Sequence, residues 1–307
     1  MRILVVGGSG LIGAHVVEAL RRRGHAVTTV ARTARAGVDH VLDVESASID
    51  ELQPLLDGHD GIVYGTRSDE QRVLRKPIYP VFRGELVDPV VRVFTAARHA
   101  GVTRGVLLGS YYTYYDRRHP QWRLTDRHPY IRCRLEQARD GRAAAGQQLP
   151  IAVLELPFVF GRVGDRLPNW AGPLDRWARS RSPLLAPAGG TAVVSAHSVA
   201  EAAVDALERA DGANIPLADE NLTWAGMFAR IAEAVGRPRR VRQLPAGAVR
   251  AGLGLGGVLQ ALARRESGLN LAHLSDLLLA DLFIEPVTGR AFDPALHETF
   301  SASAGGR

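Results

Sequence analysis

The chain has 307 residues, 46% apolar and 23% charged, a composition that can bury a large core and excludes disorder or a coiled coil. Its single cysteine, Cys133, excludes an internal disulfide, and the scattered histidines offer no metal-ligand spacing. The formal charge of +6 raises the question of nucleic acid, but the arginines at 21–23, 117–118 and 237–240 form short runs in mixed-charge surroundings and read as solvated faces, so no nucleic-acid partner is expected.

The first residues run directly into Ile3-Leu4-Val5-Val6 without a charged, apolar, small-residue processing pattern, and a cytoplasmic location is expected. Strand-like runs then recur at Arg2–Val6, Ala26–Ala31, Ile62–Gly65, Gly105–Gly109 and Ile151–Leu156. Between them, Leu11–Arg23 carries apolar residues at Ile12, Val16, Ala19 and Leu20 and stops at Gly24, which is one helix. Ile49–Leu56 and Leu86–Ala100 are read as further crossover helices. Alternating strands and helices predict an α/β fold with a doubly wound parallel (Rossmann) sheet over residues 1–160. After Gly161 the pattern becomes irregular, with helices expected near Ser198–Ala210 and Trp224–Val235. Residues 161–307 are therefore expected to form mainly a smaller α+β substrate-binding lobe, with late segments returning to the core. The apolar stretch Ala251–Ala263 is too short to span a bilayer, which takes ~20 residues, so no membrane association is expected.

Val5-Val6-Gly7-Gly8-Ser9-Gly10-Leu11-Ile12-Gly13 joins the first strand to the first helix. Glycines at 7, 10 and 13 allow a tight turn, a close backbone approach and tight helix–strand packing, while the helix N-terminus favours an anion. Strand, spacing and helix coincide, so Gly7, Ser9, Gly10, Leu11, Ile12 and Gly13 are expected to seat a dinucleotide pyrophosphate. At the end of the second strand, Arg32 with Thr33 stands where an acid would bind the ribose of NAD; an arginine there favours the 2′-phosphate of NADP, with NAD the second choice.

These features resemble the extended short-chain dehydrogenase/reductase family, which includes nucleotide-sugar epimerases, dehydratases and NADPH-dependent reductases. Its Thr-Gly-x-x-Gly-x-x-Gly pattern is matched by Gly7, Gly10 and Gly13, with Val6 in place of the threonine. Leu42-Asp43-Val44 resembles the segment with the adenine-contacting Asp, and Leu107-Leu108-Gly109-Ser110 the strand end with the catalytic Ser/Thr, followed by Tyr114. Leu156-Pro157-Phe158-Val159-Phe160-Gly161 resembles the sixth-strand motif, and Val194–Ala200 a later helix start. The resemblance implies cofactor contacts at Asp43, Val44, Gly65, Thr66, Pro157 and Val159, and a homodimer through helices near 84–100 and 130–146.

The family's Tyr-x-x-x-Lys is represented by Tyr130 and Arg134, which i, i+4 spacing puts on one helix face. The resemblance makes Ser110, Tyr130 and Arg134 the catalytic set: Tyr the acid/base, Ser orienting the substrate oxygen, the cation binding ribose and favouring tyrosinate. A phenol ordinarily titrates near ~10 and needs such a cation to act as a base at neutral pH. Arg134 can stabilise tyrosinate but cannot lose a proton. Lys76 is the only lysine in the chain, so this exchange follows an arginine bias of the whole sequence.

Nucleotide-sugar members usually carry Asn where Phe158 stands and Arg where Glu155 stands, which disfavours a nucleotide-sugar substrate. Phe158, Trp170, Trp177 and Tyr111-Tyr112-Thr113-Tyr114-Tyr115 predict a partly apolar or aromatic pocket. Ser110 lies outside any Gly-x-Ser-x-Gly elbow, which excludes a hydrolase triad. The expectation is an NADP(H)-dependent oxidoreductase or epimerase-type enzyme acting on a carbonyl or alcohol of a small organic molecule. A non-redox isomerase or cyclase on this fold, or a non-catalytic NADP(H)-binding sensor, is the alternative.

Overall fold

The computed structural model describes residues 1–66, 69 and 72–300. In β1 (Arg2–Val6) the side chains alternate, so Ile3 and Val5 enter one core and Leu4 and Val6 the other. A strand apolar on both faces needs cover on both sides, which crossover helices supply. From β1 the chain continues through α1 (Leu11–Arg22), β2 (Ala26–Ala31), β3 (His40–Val41), α2 (Ile49–Leu56) and β4 (Gly61–Tyr64). A capping box starts α2: Ser48 Oγ accepts from the Glu51 N–H, and the Glu51 carboxylate accepts from the Ser48 N–H.

Next come β5 (Val73–Arg75) and a helical stretch from α3 (Tyr79–Phe82) through a π-helical turn at Arg83–Val87 into α4 (Asp88–His99). This helix begins earlier than its apolar pattern predicts, because Pro80 falls in the first turn, where the missing N–H costs nothing. After β6 (Arg104–Leu108), α5 (Tyr112–Arg118), α6 (Leu124–Arg127) and α7 (Pro129–Ala145) lead to β7 (Ile151–Glu155). The second half runs β8 (Phe158–Phe160), α8 (Ala171–Arg179), β9 (Leu184–Ala186), β10 (Gly190–Ser195), α9 (Ala196–Arg209) and β11 (Asn214–Pro216). It closes with β12 (Glu220–Thr223), α10 (Trp224–Ala234), β13 (Val241–Gln243), α11 (Ala246–Leu262), β14 (Arg265–Ser267), α12 (Leu271–Leu278), β15 (Asp281–Leu282) and α13 (Asp293–Phe300).

Seven strands form one sheet in the order β11-β7-β6-β4-β1-β2-β3, every pair parallel. The chain winds one way from β1 to β3 and the other way from β4 to β11, so the order reverses between β1 and β4. In open α/β sheets the crevice beyond the strand ends at such a switch point is where ligands bind. Helices α1 and α9 cover one face; α2, α4 and α7 cover the other. Arg22 and Arg23 are not free solvated charges: they bridge α1 to Glu201, Asp205 and Glu208 of α9.

The remaining strands make small sheets, β12-β10-β15 with β8 added to β10, β13 with β9, and β14 with β5. Both α9 and β11 come from this later half yet complete the large sheet and its cover.

Candidate active site

Gly7 leaves β1 in the left-handed region, φ 83°, and donates its N–H to Val30 O at 2.8 Å. A Cβ on Gly7 would lie 2.9 Å from Gly65 O, and one on Gly13 only 2.1 Å from Gly7 O, so neither position accepts a side chain without moving backbone. Exposed Gly10 is the N-cap of α1 and no side chain caps it. The first intrahelical bond is Ala14 N–H to Gly10 O, so the amides of Leu11, Ile12 and Gly13 precede the ladder. Such uncapped amides at the positive end of a helix form an anion seat, with Ser9 on the same turn. The close approach to Gly65 also brings Gly65 and Thr66, beyond β4, beside this turn.

Beyond β2, Arg32 and Thr33 are exposed, and Arg32 Nη1 lies 3.8 Å from Glu45 Oε2. Leu42 N–H donates to Ala31 O at 3.0 Å, which holds Asp43 close to Arg32. The Asp43 carboxylate accepts from the Glu45 N–H at 3.1 Å, while the Val44 side chain is buried in the core. The acid in the loop after β2, Asp39, is occupied by the Thr29 N–H and hydroxyl at 2.8 and 2.9 Å.

Of the catalytic candidates, Arg134 reaches the end of β6, the strand that leads into Ser110. Ser110 is buried two residues past Leu108, and its carbonyl accepts from the Thr113 N–H at the start of α5. Tyr130 and Arg134 share one face of α7, with the guanidinium carbon 5.9 Å from the Tyr130 ring centroid. Arg134 is buried; Nη2 donates to Leu108 O at 2.9 Å and Nη1 to Gln137 Oε1 at 2.8 Å, while the buried Nε–H has no protein partner. Gln137 in turn donates to Leu86 O at 2.9 Å. The guanidinium thus ties α7 to the strand end that leads into Ser110 and leaves its Nε–H unspent.

Burial drives the Tyr64 phenol well above its ordinary value, opposed by the hydroxyl bond from Thr66 and by the charges of Arg92 and Arg134. Tyr64 therefore stays a neutral phenol whose hydroxyl accepts from Thr66. The start of α7 is pinned from the later half: Tyr130 N–H donates to Gly268 O at 3.0 Å, and His128 Nδ1 accepts from the Asn270 N–H at 3.1 Å. Burial, then His273 and Arg127, push the His128 pKa down to about 4. Cys133, also on α7, is buried, and burial lifts its thiol to about 12, so it remains protonated.

Pro157 and Val159 lie farther along, where β8 pairs with β10 and Val159 packs on the core shared by α1 and α9. Phe158 touches Trp170 and Trp224 with centroids 5.6 and 5.5 Å apart, and Trp177 stands edge-on to Phe228 at 5.3 Å. These rings pack mainly on one another. Tyr111 and Tyr115 are likewise buried, and Tyr115 donates to Phe283 O at 2.6 Å; Tyr112 and Tyr114 are half-buried.

Glu155 is fully buried and held by Arg117 through paired bonds of 2.6 and 2.7 Å, with the Thr113 hydroxyl at 2.5 Å. Sequence reasoning missed Arg117 because its partner is distant along the chain. Gln137 carried a signal, since i, i+3 spacing places it over Arg134. Among the described residues no cluster of His, Cys, Asp and Glu could hold a metal ion.

The model of the NAD dependent epimerase/dehydratase family matches residues 3–179. No curated protein matches the sequence significantly. Among solved structures, gox2253 superposes with a TM-score of 0.74 at 16% identity, covering 97% of this chain and 96% of the other. The human epimerase family protein SDR39U1 (isoform 2) with NADPH gives 0.66 at 19%, covering 98% and 99%. UDP-N-acetylglucosamine 4-epimerase from Bacillus cereus gives 0.65 at 16%, covering 98% and 95%. With the family match covering more than half of the sequence and the parallel sheet in place, this chain belongs to the NAD dependent epimerase/dehydratase family, within the extended short-chain dehydrogenases/reductases.

Proposed function

We propose that this protein binds NADP(H) and acts as an oxidoreductase or epimerase on a carbonyl or alcohol of a small organic molecule. One observation carries the reading: a turn whose Gly7 and Gly13 admit no side chain opens onto the bare amides of α1, in the same fold where Arg134 of α7 bonds the carbonyl of Leu108, two residues before Ser110. Gly7, Ser9, Gly10, Leu11, Ile12 and Gly13 would hold the pyrophosphate, Asp43 and Val44 the adenine side, and Gly65, Thr66, Pro157 and Val159 the nicotinamide half. Exposed Arg32, with Thr33, would receive the 2′-phosphate, because a guanidinium matches a phosphate dianion. The bound nicotinamide supplies or accepts a hydride.

The chain's own residues supply the rest. Ser110 orients the substrate oxygen by hydrogen bonding, and Tyr130 holds or receives its proton at Oη. Arg134 stabilises the tyrosinate by its charge and offers Nε–H to a ribose hydroxyl; as a guanidinium it relays no proton. The Glu155 and Phe158 positions favour a substrate without a nucleotide diphosphate, since Glu155 is spent on Arg117 and Phe158 offers no amide. UDP-sugars, seen with such neighbours as MoeE5, belong in the assay panel as the contrary case.

The test is Tyr130→Phe, assayed by nicotinamide absorbance on ketones, alcohols and UDP-sugars, with dinucleotide affinity measured beside it. Loss of turnover with unchanged affinity is expected; full activity would remove Tyr130 from the mechanism. The two internal bonds of Arg134 favour a second reading, a dinucleotide-binding sensor without turnover. A sensor would bind NADPH and convert nothing in the panel, whereas product formed without net absorbance change would mark an isomerase or cyclase.

A further inference from the structure

Helix α11 is 17 residues long, and only Val249 is buried in it. It leans on α12 through Gly256 and Gly257, whose added Cβ atoms would lie 3.2 and 3.1 Å from Leu271 and Ala272. The opposite face is a stripe of Ala248, Ala251, Leu255, Val258, Leu259 and Leu262, spaced at three and four residues. All six are exposed; Leu255, Val258, Leu259 and Leu262 retain 62%, 57%, 58% and 76% of their accessible surface. Large aliphatic side chains concentrated on one exposed stripe mark an interaction surface rather than scattered surface residues.

The charge around the stripe says what fits it. From residue 234 to 265 the sequence holds seven arginines and no Asp or Glu; Arg237 and Arg239 are turned to carbonyls at the end of α8, while Arg250, Arg264 and Arg265 lie on α11 or just past its C-terminus. At the C-terminal end of α11, β14 pairs with β5 so that Arg265 faces Arg75, and Lys76 N–H donates to Arg264 O at 2.9 Å. Arg75, Lys76, Arg264 and Arg265 are all exposed, which makes a four-cation cluster from two chain segments beside the apolar stripe. The neighbouring Glu266 accepts from the Ile78 N–H at 3.0 Å. A second copy packed through this face would bring no carboxylate from 234–265 to these cations. The stripe also lacks the aromatic anchors and hydrogen-bonding groups of a protein interface. An aliphatic helix face flanked by cations matches the acyl–headgroup boundary of an anionic bilayer.

We infer that α11 docks this protein peripherally on anionic phospholipid membranes, its aliphatic stripe in the interface and the 75–76/264–265 cluster on the headgroups. The helix lies in the plane of the membrane, and no helix among the described residues is long and apolar enough to cross one.

The test is flotation of the full-length protein with vesicles of phosphatidylcholine alone or mixed with phosphatidylglycerol. Binding is expected to the mixed vesicles only and to weaken at high salt. Each cation neutralised by Arg75→Gln or Arg265→Gln should lower the affinity about fivefold. Leu255→Gln with Leu259→Gln should lower it roughly tenfold or more, with circular dichroism unchanged. In a Leu259→Trp protein, whose substitution lies on solvent, mixed vesicles should shift the emission to the blue. Absent binding to mixed vesicles, equal binding to neutral ones, or an emission left unshifted in the Leu259→Trp protein would overturn the inference. Sedimentation showing a dimer that Leu259→Arg dissociates would do the same, assigning the stripe to a second copy.

Discussion

A carboxylate with no solvent exposure, such as Glu155, persists only where its charge is matched, and Arg117 matches it with two near-parallel bonds. Replacing it by Gln leaves Arg117 without its anion. Because Arg117 is about half exposed and can turn to water, the expected loss for Glu155→Gln is about 2 kcal/mol, below the ~3–5 kcal/mol of a fully buried pair. Denaturant unfolding measures it, and an unchanged midpoint would show that the pair contributes nothing. Tyr130 and Arg134 could be read from the sequence because their spacing is local to one helix. The second acceptor of Arg134 beside Gln137 could not, since Leu108 O sits on a strand that only the folded sheet brings beneath α7.

Among the elements, the β1–α1 turn and the start of α7 carry the sharpest expectations. Gly13→Ala would place a Cβ 2.1 Å from Gly7 O, a backbone contact that no side-chain rotation relieves. It should cost about 1–3 kcal/mol of stability and abolish dinucleotide affinity in calorimetry; retained affinity would remove this turn from the binding site. At α7, His128 is held neutral, its pKa lowered to about 4 from an ordinary 6.5. The native state therefore binds fewer protons than the unfolded chain between those values. The stability this contributes is complete above pH 6.5 and is lost as the pH falls from 6.5 through 4, to a total on the order of 3 kcal/mol. Thermal melts across that window should show the fall for the native protein and a flatter profile for His128→Gln.

For the whole molecule, ligand linkage offers a test of cofactor choice. A ligand that binds only the folded state at 100 times its dissociation constant stabilises by about 2.7 kcal/mol, which raises Tm measurably. NADPH should shift Tm more than NADH, and Arg32→Asp should reverse that order; equal shifts in the native protein would mean that Arg32 does not read the 2′-phosphate. The sequence by itself determined the α/β class, the glycine turn between β1 and α1 and the Tyr130–Arg134 face, because hydrophobic period, glycine stereochemistry and helical spacing act over a few residues. Strand order, the return of β11 and α9 to the large sheet, the Glu155–Arg117 pair and the joining of Arg75 and Lys76 to Arg264 and Arg265 were decided only by tertiary structure. Each of these depends on segments far apart in the chain, and their meeting is set by the burial of whole faces rather than by any local preference.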